Sequence, residues 1–155
     1  MSRPGRAAVV IAALFLVTAA CDDSTPSAAE ISPGLELTAI GDIPEHGVLY
    51  VPRQRVYVVD SPTEGYLALY EKSPDLGCKV TDLFGDGASS EPPATTSPLT
   101  RFFDYCHGSE FDMEGTYVAG RSPRSLSRFP LTLVGDTLYI RPGSELELVP
   151  RPSQE

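Results

Sequence analysis

Two short segments gather most of the side chains able to hold a metal or move a proton. The first is Ser73-Pro74-Asp75-Leu76-Gly77-Cys78 and the second is Asp104-Tyr105-Cys106-His107-Gly108-Ser109. A carboxylate and an imidazole can share a charge-assisted hydrogen bond, and either can ligate a cation. Ser73, Asp75 and His107 also spell a serine, an acid and a histidine, but nothing in their spacing builds the nucleophile–base–orienter relay that hydrolysis needs. The chain holds no G-x-S-x-G, no H-E-x-x-H and no glycine-rich phosphate loop ahead of a helix. No catalytic constellation stands out, so these residues point to binding or to structure before they point to an enzyme. The other histidine, His46 in Pro44-Glu45-His46-Gly47, reads as a surface turn residue.

The elements that must position the two segments are short. The chain has 155 residues, 41% of them hydrophobic, enough for one packed domain with appendages. Its 15 prolines and 13 glycines favour strands and turns over a helical bundle. Leu35 to Thr38, Gly47 to Val51, Arg55 to Asp60 and Tyr66 to Tyr70 are strand-like, rich in Val, Tyr and Leu and bounded by turn residues. The last of them runs directly into Ser73. Leu131 to Val134 and Thr137 to Arg141 flank Gly135-Asp136 as a hairpin, and Glu145 to Val149 reads as an edge strand with its acids in water. Phe84 to Ser97 is a Gly-, Ser- and Pro-rich surface loop, either a tolerated insertion or a partner-binding loop.

The N-terminus reads as an export signal. Arg3 and Arg6 precede the apolar run Ala7 to Ala20, which is short for a stable membrane span. The run ends Leu16-Val17-Thr18-Ala19-Ala20-Cys21 and resembles a bacterial lipobox, which implies cleavage before Cys21 and lipid on that residue. Cleavage without lipid and retention as an uncleaved anchor are the alternatives. The expected division is a lipoprotein-type signal at 1–20, a flexible tether at 21–34, a folded domain at 35–150 and a tail at 151–155. The body of the protein then lies on the extracytoplasmic side of a cell membrane. The net charge is −9, and losing Arg3 and Arg6 with the leader deepens it to −11, which argues against nucleic acid as a partner.

The two segments resemble the paired loops of Rieske domains, which carry C-x-H-x-G-C and C-x-C-H-G-S around a [2Fe–2S] cluster held by two cysteines and two histidines. The segment Gly120-Arg121-Ser122-Pro123-Arg124-Ser125-Leu126-Ser127-Arg128-Phe129-Pro130 is similar to the family's G-P-A-P-R-x-L-x-R-F-P, whose first part covers the cluster. The resemblance spans about Leu35 to Gly143. It implies an all-β fold, a Rieske-like antiparallel sandwich with a small loop subdomain stapled by a Cys78–Cys106 disulfide. It also places the cluster-ligand positions at Ser73, Asp75, Asp104 and His107, where only His107 keeps the family's residue. Three of the four are then oxygen donors, too hard for this cluster. No cofactor is expected on this reading.

The resemblance therefore implies a membrane-tethered, cluster-free accessory or interaction module related to electron-transfer subunits of the cytochrome bc or oxidase kind. Its partners would be the membrane, through Cys21, and a protein of a respiratory complex. The family context is oxidoreductase electron transfer, and this chain is expected to be non-catalytic within it. One alternative is a [2Fe–2S] carrier with atypical ligands. Another is a lipoprotein that binds a single metal ion through Asp75, Asp104 and His107. A third expectation concerns the vacated site: Asp75 pairs with His107 in place of the metal. Ser109 is expected to cap local backbone donors.

Overall fold

The computed structural model describes residues 34–85, 93–141, 147–150 and 152. The expected signal, the expected lipidation position Cys21, nearly all of the expected tether, the centre of the 84–97 loop and most of the expected tail lie outside the described residues. No helix among the described residues is long and apolar enough to cross a membrane.

The described chain is all-β. Its strands are β1 (Leu35–Ala39), β2 (Val48–Val51), β3 (Val56–Ser61), β4 (Gly65–Tyr70), β5 (Thr81–Asp82), β6 (Phe102–Asp104), β7 (Ser109–Phe111), β8 (Tyr117–Ala119), β9 (Leu131–Val134) and β10 (Thr137–Ile140). They form three antiparallel sheets, ordered β1-β10-β9, β2-β3-β4 and β5-β6-β7-β8. The four strand segments and the hairpin read from the sequence are all present. Gly135, at φ +58°, opens the two-residue loop between Val134 and Thr137, the place where a type II′ hairpin asks for glycine. The short strands β5 to β8 carried no sequence signal of comparable strength. The expected edge strand at 145–149 is represented, within the described residues, by one bridge between Glu147 and Arg128.

Sheet β2-β3-β4 is buried on both faces. Side chains alternate along a strand, so β3 sends Tyr57 and Val59 one way and Val56 and Val58 the other. Tyr57 and Val59 join Leu69, Val80, Phe102, Phe111 and Leu126 in one core cluster. Val56 and Val58 join Leu37, Ile43, Ala68 and Leu138 in a second. The near-continuous apolar run of β3 follows from this double burial. The first cluster is the floor of the loop region, because it packs β3 and β4 against β6, β7 and the chain around Leu126.

The segment 124–130 runs along β4. Tyr70 N–H donates to Ser127 O at 2.8 Å and Phe129 N–H to Ala68 O at 2.9 Å. Just upstream the backbone presses on the second loop. A Cβ on Gly120 would stand 2.2 Å from Gly108 O and 2.6 Å from Ser109 Cα, and its φ is +93°. We therefore expect Gly120→Ala to cost at least about 2 kcal/mol in urea unfolding, since both backbones would have to part. A cost below about 0.5 kcal/mol would show that the two segments are not in register as described.

Candidate functional site

Both chemistry-bearing segments are tight loops between paired chain stretches. The first is closed by the Lys72–Lys79 bridge and by Ser73 N–H to Cys78 O at 2.7 Å. Leu76 and Gly77 turn it with φ of +58° and +72°. The second is the β6–β7 hairpin loop, closed by the Asp104–Ser109 register pair and by Gly108 N–H to Asp104 O at 2.8 Å. Leucine at positive φ is strained, and glycine beside it absorbs the rest of the turn. The Cys78–Cys106 disulfide joins the two loops, with Cα atoms 6.4 Å apart. This is the pairing that the resemblance implies.

The polar side chains of the loops are mostly turned inward. Asp104 is fully buried; its Oδ1 accepts Cys106 N–H at 2.9 Å and its Oδ2 faces His107 Nδ1 at 3.4 Å. That Oδ2 and that Nδ1 are buried atoms without a hydrogen bond. Asp75 faces Arg121, with Oδ2 to Nε 3.9 Å, so the expected Asp75–His107 pair is replaced by Asp104–His107. The reason is local: Asp104 ends β6 and His107 sits in the four-residue loop that follows it, while Asp75 lies on the other loop. Ser73 is buried, and its Oγ accepts Asp75 N–H at 3.3 Å. Ser109 is buried too, but its Oγ accepts the N–H of Ser122, 13 residues away, at 2.9 Å. It ties the 120–124 segment onto the loop and is not the local cap expected from sequence. His46 is a surface turn residue, as read, with its N–H donating to Asp60 Oδ2 at 2.9 Å.

The ligating atoms of Cys78, Asp104, Cys106 and His107 all lie within 4.8 Å of one another. Asp75 does not belong to that group, so the expected trio of Asp75, Asp104 and His107 is not assembled as such.

Glu71 was not legible as a site residue. It precedes the first loop by two positions and is almost wholly buried. Tyr50 Oη–H donates to its Oε2, Arg55 Nε meets Oε1 at 2.6 Å, and Lys79 Nζ stands 3.9 Å from Oε2 and over the Tyr50 ring. Only the β2–β3–β4 register, which brings Tyr50, Arg55 and the end of β4 together, produces this cluster. Beside it lies a cavity of about 450 Å³ lined by Lys72, Ser73, Leu76, Arg124 and Ser127 among others. Arg124 there donates to Ser127 Oγ and Ser125 O, and burial lowers its pKa. Neither Lys72 nor Arg124 has an acidic partner among the described residues.

No protein-family model and no curated protein matches the chain.

Burial by itself would raise the Glu71 pKa, but the hydrogen bonds from Tyr50 and Arg55 and the charges of Arg55 and Lys79 outweigh it and hold the carboxyl low. A depressed folded pKa stabilises the fold above the unfolded value and loses that contribution as pH falls through the folded one. Glu71→Gln is expected to be less stable than the parent by about 1.5–3 kcal/mol at neutral pH. The gap closes below about pH 4. Chemical denaturation across that range measures it, and a gap that stays constant down to pH 3 contradicts an ionic role.

Proposed function

We propose that this protein is a lipid-anchored, extracytoplasmic module with a Rieske-like frame, which holds no iron–sulfur cluster and works by docking its loop tip onto an anionic protein surface. The observation that carries this reading is the disulfide-joined pair of loops, whose polar residues turn inward while Leu76 is 81% exposed. Tyr105 is 44% exposed and adjoins the disulfide in the second loop. An exposed apolar residue beside cations that have no acidic partner among the described residues is the composition of a recognition patch.

The residues at the family's ligand positions do not fit a [2Fe–2S] cluster. Ser73 Oγ and Asp104 Oδ1 are engaged with backbone N–H groups, Asp75 faces an arginine, and all three offer hard oxygens where the cluster takes thiolate and imidazole. The charge distribution supports the partner chemistry. The whole chain carries −9, yet Lys72 and Arg124 line the cavity next to Leu76, and the nearby Glu71 and Asp104 are buried. A negatively charged partner is steered to such a patch, the more so at low ionic strength. Relation to respiratory electron-transfer subunits is part of the same proposal, and it rests on the resemblance of the loops.

Protein exported through its own leader should be colourless, with no stoichiometric iron or acid-labile sulfide. It should stay with membranes and leave them on Cys21→Ser substitution. A photo-crosslinking residue at position 76 should give one discrete protein adduct in membranes, weakened by salt and by Lys72→Glu. The same residue at the exposed Leu133, in the sheet of β9 and β10, should give none. A brown protein with Rieske absorption bands would overturn the cluster-free reading, and equal labelling from positions 76 and 133 would overturn the docking surface.

A further inference from the structure

The disulfide sulfurs, the buried carboxylate and the imidazole form a set with a second possible state. We propose that reduction of Cys78–Cys106 converts the loop junction into a four-ligand site for one thiophilic divalent cation, of which Zn²⁺ is the type. The ligands are Cys78 Sγ, Cys106 Sγ, His107 Nδ1 and Asp104 Oδ2. The proposal goes beyond the docking role and stands whether or not the tip meets a partner.

The geometry is that of a tetrahedral site. Zinc bonds of about 2.3 Å to sulfur and about 2.0–2.1 Å to nitrogen or oxygen fix the edges of the tetrahedron. They come to about 3.8 Å between sulfurs, about 3.5 Å between sulfur and nitrogen and about 3.3 Å between nitrogen and oxygen. The His107 Nδ1 to Asp104 Oδ2 separation is 3.4 Å, already at the edge length. All four ligating atoms lie within 4.8 Å of one another. Once the S–S bond is cut the two sulfurs must move apart to about 3.8 Å, a motion that rotation about the Cα–Cβ bonds can supply.

A second observation points to the same place. Asp104 Oδ2 and His107 Nδ1 are buried, directed at each other, and without a hydrogen bond. Buried polar atoms in native proteins are nearly always satisfied, and a pair left open in the disulfide form, at ligand spacing and beside the two sulfurs, stands ready for an ion once the sulfurs are freed. The other carboxylate oxygen is held by Cys106 N–H, so the free one is already oriented, as an outer-shell contact does in metal sites. Cys106 is exposed and Cys78 and His107 are half-buried, which leaves an entry path. Arg121 and Asp75 face each other nearby and take no ligand position.

The chemistry balances. A dithiol reductant gives two electrons and two protons to the disulfide by thiol–disulfide exchange and becomes a disulfide itself. Zn²⁺ then displaces the two thiol protons and is held by two thiolates, neutral His107 and ionised Asp104. An external disulfide, taking the two electrons by thiol–disulfide exchange and leaving with two protons as a dithiol, returns the two thiolates to the disulfide, removes two of the four ligands and releases the ion. In the oxidised form Asp104 and His107 alone are too few to retain it. The site is therefore a redox-conditional one: disulfide or metal, each able to tie the loops.

The test uses the full chain, reduced with a non-thiol phosphine and titrated with Zn²⁺ against a chromophoric chelator, with Co²⁺ as the spectroscopic probe. We expect one ion per reduced chain, tetrahedral Co²⁺ d–d bands with a thiolate charge-transfer band, and binding at least about 100-fold weaker when oxidised. His107→Ala should weaken Zn²⁺ by more than about 100-fold, beyond the roughly 10–100-fold of an outer-shell change. Cys21→Ser should leave the affinity unchanged. Bound Zn²⁺ should also slow reoxidation of the cysteines. If the reduced, metal-free chain is unfolded by circular dichroism, Zn²⁺ is expected to restore the β signal, and failure to do so overturns the proposal. Equal Zn²⁺ affinity of oxidised and reduced protein, or of His107→Ala and the parent, overturns it as well.

Discussion

The bond between Cys78 and Cys106 is the constraint on which the loop region depends. Two loops of four to six residues cannot bury enough apolar surface to order themselves, and ordering costs about 1–2 kcal/mol per residue. A crosslink between positions 28 apart in sequence contributes about 3–4 kcal/mol by the chain-entropy account. The core cluster below supplies the other half of the support. Val80, Phe102 and Phe111 lead into or out of the loops and, with Leu126 of the segment along β4, pack on Tyr57 and Leu69 of the central sheet. The loops thus stand on a rigid floor and are joined at the top.

With that frame in place, the polar groups follow a consistent logic. Each buried carboxylate near the tip is met by donors or cations: Glu71 by Tyr50 and Arg55, Asp82 by Arg101 at 2.6 Å, Glu110 by Thr100 Oγ1 at 2.6 Å and by Ser97 N–H at 2.9 Å. A buried charge without such partners would cost several kcal/mol. Asp104 departs from the rule, since one of its oxygens meets only the His107 ring nitrogen, 3.4 Å away and without a hydrogen bond. Lys72 and Arg124 depart from it in the other sense, as cations beside a cavity without acids. Departures of this kind gather where a protein binds something.

Much of the architecture was legible in the sequence, for physical reasons that can be named. The Val- and Tyr-rich stretch of β3 gave itself away because both its faces are buried, and the Gly135-Asp136 loop because glycine opens that turn. Cys78 and Cys106 were legible as a pair only through the resemblance of their loops to a known family. Strands β5 and β6 were not legible, since two or three residues carry no period, and tertiary pairing makes them strands. The Asp104–His107 contact was missed because the family frame assigns the outer positions to Asp75 and His107, whereas the four-residue hairpin loop brings Asp104 to His107 directly. Ser109 was misread as a local cap because its partner, Ser122, comes from a segment whose approach depends on Gly120. Glu71 had no signal: a glutamate after a strand is usually a solvated end.

The Cys78–Cys106 bond orders the loop tip by joining its two loops, while the β framework beneath them holds independently. Amide hydrogen exchange before and after reduction, in the presence of a strong chelator, tests it most directly. The amides that close the loops are those of Ser73, Gly77, Cys106 and Gly108. These should lose protection on reduction while the amides of β3 and β4 keep theirs, because the central sheet is buried on both faces without help from the disulfide. Unchanged protection of the loop amides would contradict it, and so would simultaneous loss across β3 and β4.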